Sequence, residues 1–237
     1  MTKAHCTPLW QPIPCPLSDI EGLESWLGDM AAHGLVPVTI GQNFARFRCS
    51  QPKAVRYRLN AKPAPETFLE PAPGTPDGEE RALAQECGWY YVTAVGDFFL
   101  YACEDSNAPE LNTDPQVQAL SLRYAKRQVF APAGLLAYWL VTFWVRYAMG
   151  VWHTPVIDFV ELGWLSFCYL GLLAAALVSV VHNTVLLYRF SARLTRGAEP
   201  ERHKNWRKGA GRYLVGRVLA ALLFVLTIVW TLSLIHI

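Results

Sequence analysis

The stretch VTIGQNFARFRC, residues 38–49, has an echo in VTAVGDFFLYAC, residues 92–103. Aligned without a gap, residues 32–49 and 86–103 share five identical residues, whereas ordinary composition gives roughly one in such a window. The identical pairs are Gly34/Gly88, Val38/Val92, Thr39/Thr93, Phe44/Phe98 and Cys49/Cys103. The match predicts that the chain contains an internal duplication.

The sequence around the first copy predicts a helix followed by a hairpin. Ser18 and Glu21 form a capping box, apolar residues then recur at helical spacing, and Gly34 ends the helix. Two runs, 35–40 and 44–49, flank a Gly-Gln-Asn turn. They therefore predict the two strands of a hairpin.

The second copy repeats this order. Pro76 stands where a helix begins and Gly88 where it ends, and residues 89–94 and 98–103 predict the hairpin. Each copy also has a candidate preceding strand, at residues 6–13 and 55–59.

The predicted unit is strand-helix-strand-strand, present twice, at about residues 5–50 and 54–104. A proline-rich loop, 61–77, is inserted in the second copy. Two such units predict an α+β domain over residues 1–115, with an antiparallel sheet that carries the helices on one face.

Arginines alternate with apolar residues in two of these strands. A register that keeps the apolar sets on one face places Arg48 opposite Arg56 and Arg46 opposite Arg58. Like charges directly opposite each other destabilise a sheet, so a negative group is expected nearby.

Two interpretations remain open for this cationic face. Acidic residues of the same half pair with the arginines, with Asp97, Glu104 and Asp105 as candidates, or the face binds an anionic ligand, an acidic protein partner or lipid head groups. The equivalent face of the second copy carries Phe98 and Leu100. The two faces predict a cleft that is charged on one side and apolar on the other.

The second half of the chain has a different composition. Up to residue 120 there are 8 Lys/Arg and 15 Asp/Glu, and from residue 121 there are 13 and 4. Three stretches, about 130–147, 162–188 and 214–235, are long and apolar enough to cross a bilayer. They predict an all-α membrane domain of at least three helices over residues 129–237, reached through a connecting helix, 116–128.

Charge sets the predicted orientation. The loop 189–213 carries eight Lys/Arg, and short basic loops stay in the cytoplasm. We therefore expect a multi-pass protein of a bacterial cell membrane whose N-terminal domain is cytoplasmic. The chain opens without a signal-peptide pattern, which agrees with this placement.

Polar residues inside the predicted spans are candidate sites. Arg146 is near the outer end of the first span, where its long side chain can reach the interface. His182 and Asn183 lie near the inner end of the second span. Hydrogen bonding between helices and a proton-linked or substrate site are the two interpretations for this pair.

No catalytic or phosphate-loop motif is present, so we expect no enzyme activity and no cofactor. The six cysteines form no metal-ligand spacing, so we expect no metal site. In a cytoplasmic domain they are expected to be free thiols.

Three segments, WLGDMAAHGL (26–35), FARFRCSQP (44–52) and VRYRLN (55–60), resemble a bacterial family catalogued as domain of unknown function 2812. The resemblance covers about residues 5–105. It implies a membrane-associated protein of the kind often thought to accompany transcriptional regulators, with no established chemistry. The duplicated unit also looks like the small-molecule-binding domains of the gyrase-inhibitor type.

These observations predict a membrane-anchored sensor or regulatory interaction module. The alternative is a subunit of a transporter or channel that uses the soluble domain as a gate. The lipid bilayer is the first expected partner, followed by an anionic ligand, an acidic protein or a second copy of the chain. We expect no direct nucleic-acid binding.

Overall fold

The structure is a computed structural model that describes residues 8–65, 72–129, 164–235 and isolated positions between 134 and 149. The chain divides into two compact units. The first contains Met1–Gln128 and Leu186–Ala210, and the second contains Val129–Val185 and Gly211–Ile237. A segment from the C-terminal half therefore belongs with the N-terminal domain.

The first part of the domain is a three-stranded antiparallel sheet with one helix. Its elements are β1 (Leu9–Pro12), α1 (Ile20–Ala32), β2 (Leu35–Ile40) and β3 (Phe44–Cys49). The strand order is β1-β3-β2, so the hairpin strand β3 is central. The predicted bounds of β2 and β3 are confirmed, and β1 covers part of the predicted run 6–13.

The second part repeats this order. Its elements are β4 (Arg56–Ala61), α2 (Gly78–Glu86), β5 (Tyr90–Val95) and β6 (Phe98–Cys103), and the sheet order is β4-β6-β5. Strand pairs also recur at the spacing of the sequence echo. Pro37 pairs with Phe47, Tyr91 pairs with Tyr101, and each hairpin has a register shift directly after that pair.

Both helices end as predicted. Gly34 and Gly88 follow the last helical turns with φ values of 79° and 82°, a backbone conformation that glycine adopts without steric cost. A Cβ at Gly34 would also lie 2.7 Å from the carbonyl oxygen of Ser50. The predicted start of α1 is one residue early, because the side chain of Asp19, and not Ser18, accepts from the N–H of Gly22.

Two predictions about the sheet are wrong. The six strands form two separate three-stranded sheets and not one, although β2 and β5 lie next to each other. In addition, β3 and β4 belong to different sheets and do not pair. Both sides of β3 are occupied by β1 and β2, which leaves no free edge for β4.

The core is built on α1 and the two central strands. Phe47 and Tyr101 are each 0% exposed, which confirms that both face the interior. Trp26 of α1 meets Phe47 edge to face, with ring centroids 5.5 Å apart. In the second sheet, Trp89, Phe99 and Tyr101 form an aromatic cluster with Ala84 of α2.

The described part of the chain contains three further helices with defined bounds, α3 (Pro115–Ser121), α4 (Trp164–Thr195) and α5 (Arg207–Ile235), and residues 123–129 are helical as well. Two stretches of them, Gly171–Thr195 and Arg207–Leu226, are long and apolar enough to cross a membrane. The third predicted span, 130–147, lies largely outside the described residues. Helix α4 continues to Thr195 and α5 begins at Arg207, so both helices extend into the predicted basic loop 189–213.

The cysteines do not share one state. Cys15 and Cys103 are buried free thiols and Cys87 is an exposed free thiol. Cys49, however, is disulfide-bonded. The prediction of free thiols is therefore wrong for Cys49.

Candidate functional site

The four arginines of the predicted cationic face occupy two different places. Arg46 and Arg48 are exposed on β3, where Arg46 lies between Trp10 and Thr39 and Arg48 is opposite Val36. Among the described residues neither guanidinium has a side-chain partner. Their predicted role in binding an anion stays a prediction, but they do not share a face with the arginines of β4.

Arg58 lies in an internal ion-pair cluster. Its Nε and Nη2 atoms donate to the two carboxylate oxygens of Glu110 at 2.9 and 3.1 Å. This two-bonded geometry is the strong form of an arginine–carboxylate pair. Its Nη1 also lies 3.5 Å from Glu24 of α1, so Arg58 joins α1, β4 and the segment after β6.

The side chain of Arg56 binds backbone carbonyl groups of the same segment. Its Nη2 donates to the carbonyl oxygens of Asp105 and Ala108 at 2.6 and 2.8 Å. Both Arg56 and Arg58 also lie over the ring of Trp89, at 5.1 and 5.9 Å from its centroid. These contacts fix the segment 105–110, and their partners Glu110 and Glu24 are not the acidic residues that the sequence suggested.

The predicted apolar wall is not open. Phe98 and Leu100 are 4% and 0% exposed, because β6 is buried along its whole length. The hypothesis of one cleft between an arginine face and an apolar face is therefore wrong. Hydrophobicity alone indicated an apolar face but not that other elements cover it.

Glu24 is the buried carboxylate of this cluster. Its Oε1 accepts from the N–H of Leu59 at 2.8 Å. Burial raises the pKa of Glu24 to about 7, although Arg58 and the N–H of Leu59 both favour the charged form. Glu110 behaves differently: burial alone acts to raise its pKa, but the hydrogen bond and charge of Arg58 bring that pKa below its usual range.

A second polar cluster joins α1 and its N-cap residue to the last turn of α4 and the segment that follows it. Arg193 Nη2 lies 2.5 Å from Glu21, and Lys204 Nζ lies 2.6 Å from Asp19. Farther along α1, Trp206 Nε1 donates to Asp29 at 2.8 Å. We call these three contacts the ionic joint.

Backbone groups complete the ionic joint. The N–H of Glu201 donates to Glu21 at 2.8 Å, and the N–H of Lys204 donates to Ser25 at 3.0 Å. Glu21, Ser25 and Asp29 are spaced by four residues, so they form one polar stripe along α1. That spacing is the signal from which sequence reasoning, which missed this cluster, could have found it.

A cavity of about 500 Å³ lies beside the joint. It is lined by the start of α1, the last turns of α4 and the following segment. The lining residues are Ser18, Asp19, Ile20, Glu21, Leu186, Arg189, Phe190, Ala192, Arg193, Arg196, Glu201 and Lys204. Its volume is typical of sites for small ligands.

The structure describes two of the three polar residues predicted inside the spans, His182 and Asn183. Asn183 Nδ2 donates to the carbonyl oxygen of Ser179 one turn earlier at 2.8 Å, and His182 is exposed. Arg146 lies outside the described residues. Sequence reasoning missed Arg217 on α5, whose Nη1 is buried without a hydrogen-bond partner in the described part of the chain, as is Thr184 Oγ1 on α4.

The comparisons with known proteins concern the domain. Residues 19–133 match the family model described as "Protein of unknown function (DUF2812)". We call the part of the chain that matches this family model the DUF2812 domain. The motifs that carried the resemblance lie on α1, β3 and β4 of the DUF2812 domain, so they encode packing as well as the ion pairs of Arg58. No curated protein and no solved structure matches the chain.

Among the described residues, no group of His, Cys, Asp or Glu is arranged to hold a metal ion.

Proposed function

We propose that the chain is a membrane-anchored regulatory module, in which the DUF2812 domain senses a ligand or partner and passes the change to α4 and α5. The observation that carries the proposal is the ionic joint. Its acidic half lies on α1, inside the domain. Its other half consists of Arg193 in the last turn of α4, and of Lys204 and Trp206 in the segment that links α4 to α5.

The strength of the joint supports this coupling. Glu21 is buried, and a buried charge that loses its partner is costly, so the segment has to follow α1 when α1 shifts. The same contacts hold the last turns of α4 and the residue before α5. A displacement of α1 therefore acts directly on the ends of both helices.

We also propose that α4 and α5 cross the membrane as part of a multi-pass protein. Lys and Arg are concentrated between them, which supports a cytoplasmic location of that segment and of the DUF2812 domain. Cys49 opposes this placement, because disulfides are rare in the cytoplasm. Labelling of intact cells separates the two placements.

The domain itself is proposed to be an internal duplication. Equal strand orders, glycine-terminated helices and strand pairs at one constant spacing support this origin. We propose a regulatory role without catalysis, cofactor or direct nucleic-acid contact, and assembly with a second copy or an acidic protein at Arg46 and Arg48.

A transporter or channel subunit is the second candidate. The observation that favours it is the pair of buried, unpartnered polar atoms on Thr184 and Arg217. Polar groups at such positions are expensive and commonly serve ion or substrate pathways.

Hydrogen exchange of the full chain in nanodiscs tests the regulatory proposal. The variant Asp19→Asn/Glu21→Gln/Asp29→Asn breaks the joint, and Glu79→Gln/Glu86→Gln removes two exposed carboxylates of α2 as the control. We expect faster exchange in the last turns of α4 and the first turns of α5 only in the first variant. Unchanged exchange in those turns contradicts the coupling.

The transporter candidate has a test of its own. An ion flux in proteoliposomes that the Arg217→Gln change abolishes would support it.

A further inference from the structure

We propose that the cavity beside the ionic joint binds a phosphate-bearing anion through Arg189 and Arg196. The lining contains four cations and three carboxylates. Two of those carboxylates, Asp19 and Glu21, are already paired with Lys204 and Arg193. The charge that remains free to act on a ligand is therefore mainly that of the two other arginines.

Arg189 and Arg196 have no side-chain partner among the described residues, and a guanidinium keeps its charge at every physiological pH. Each presents donors in a planar fork that fits two oxygens of a phosphate. The third carboxylate of the lining, Glu201, is exposed and takes part in no ion pair in the described part of the chain. It opposes an anion, but one carboxylate faces two guanidinium groups.

The lining also contains apolar residues. Ile20, Leu186 and Phe190 contribute hydrocarbon surface to the same cavity. A cavity whose lining combines cations with hydrocarbon suits a phosphate that carries an apolar group. Phosphate esters of both lipids and soluble metabolites have this chemistry.

The position on α4 bears on the source of the anion. The apolar stretch Gly171–Thr195 ends in the turns that carry Arg189 and Arg193. If α4 crosses the bilayer, basic residues at such an end meet phospholipid head groups. A soluble phosphate reaches the same cations from the water side.

Occupation of the cavity has a consequence for the joint. Arg193 lines the cavity and also binds Glu21, so an anion beside it competes with that carboxylate. This consequence rests on the proposed regulatory function, whereas the binding itself does not. A ligand here is what the module would sense.

Calorimetric titration of the full chain in phosphatidylcholine nanodiscs tests the site. One arm uses inorganic phosphate and the other uses short-chain phosphatidate, with short-chain phosphatidylcholine as the neutral reference. Arg189→Gln/Arg196→Gln is expected to weaken binding at least about tenfold, since it removes two charge-assisted contacts. Arg189→Lys/Arg196→Lys keeps both charges but loses the planar forks, so it is expected to weaken binding less than the glutamine pair does. Arg123→Gln/Arg127→Gln changes two exposed arginines outside the cavity and is expected to leave binding unchanged.

Saturable binding of phosphate assigns a soluble anion, and binding of phosphatidate alone assigns a lipid head group. Absence of saturable binding in both arms overturns the site, and so does an equal loss in the Arg123/Arg127 control. If the Arg189→Gln/Arg196→Gln variant loses the far-ultraviolet circular dichroism signal of the folded protein, the titration is repeated with the single Arg196→Gln variant. That residue lies beyond the end of α4. Binding without altered hydrogen exchange in α5 keeps the site and refutes only the sensing role.

Discussion

The guanidinium of Arg193 and the carboxylate of Glu21 meet at 2.5 Å although the two residues lie 172 positions apart in the sequence. Their environments differ, since the side chain of Glu21 is 2% exposed and that of Arg193 is 45% exposed. The pair is therefore asymmetric. Removing the arginine leaves a buried charge, whereas removing the carboxylate leaves a cation that water can reach.

This asymmetry makes the first prediction. Arg193→Gln should lower the free energy of local opening at the amides of Glu201 and Lys204 by about 3 kcal/mol, the cost of an uncompensated buried charge. Glu21→Gln should cost about 1 kcal/mol, because the amide oxygen still accepts from the N–H of Glu201. Hydrogen exchange of the full chain measures both. Equal effects of the two changes would show that Glu21 is not buried as described.

Arg58 and Arg48 give a matched pair for the second prediction. Arg58→Gln should destabilise the domain by about 3 kcal/mol, because Glu110 and Glu24 lose a partly buried partner. Arg48→Gln should change stability by less than about 0.5 kcal/mol, since its side chain is exposed and unpaired among the described residues. Denaturant unfolding followed by near-ultraviolet circular dichroism compares them. A loss of unfolding free energy well above about 0.5 kcal/mol in Arg48→Gln would contradict the prediction, because it would mean that Arg48 takes part in an ion pair.

The sequence predicts local structure here far better than long-range pairing. Alternating residues and a Gly-Gln-Asn turn locate β2 and β3 to the residue, because strand period and turn chemistry are both local. The choice of β1 as the third strand over β4 depends on packing across the whole domain. Alternation in β4 therefore placed Arg58 on a strand but not beside Glu110.

The ionic joint shows the same limit. The acidic N-terminal half and the basic segment after α4 are visible in the sequence as opposite charges. Which carboxylate meets which cation depends on how α4 returns to α1, and no local pattern encodes that. The stripe of Glu21, Ser25 and Asp29 indicates a polar contact on α1 without identifying its partner.

Phe47 and Phe44 lie on opposite faces of β3, which gives the third prediction its control. Phe47→Ala should cost about 3 to 5 kcal/mol, because it empties a fully buried site against Trp26. Phe44 is 53% exposed, so Phe44→Ala should cost less than about 1 kcal/mol. Thermal unfolding of the two variants decides it. Similar costs would mean that the face of Phe44 is covered in the native protein.

Glu24 makes the fourth prediction, on pH. Its pKa is raised from 4.5 to about 7 in the folded protein, so below pH 4.5 it is neutral in both states and stability is unaffected. As pH rises from 4.5 to 7, the unfolded chain loses this proton first, and the contribution of Glu24 to stability falls by about 1 to 3 kcal/mol.

Glu24→Gln keeps an oxygen for the N–H of Leu59 and removes the titration. The difference in unfolding free energy between wild type and this variant should therefore vary with pH between 4.5 and 7. Gln85→Ala, an exposed change on α2 that removes no titrating group, should give a constant difference. A constant difference for Glu24→Gln as well would show that Glu24 titrates normally.

The last prediction concerns orientation. Residues 1–128 and 189–213 are expected inside the cell and residues 148–161 outside, because the basic residues flank the former and are absent from 150–158. Single cysteines at Thr154 and Glu199, in a chain that otherwise lacks cysteine, are labelled in intact cells with a membrane-impermeant maleimide. The Thr154 position should react, and the Glu199 position only after the cells are opened.

The disulfide bond of Cys49 gives a second measurement of the orientation. The wild-type chain is compared by gel electrophoresis with and without reductant, and a shift in mobility reports whether that bond persists in the cell. Labelling of Glu199 in intact cells, together with a persistent disulfide, would reverse the orientation and place the DUF2812 domain outside.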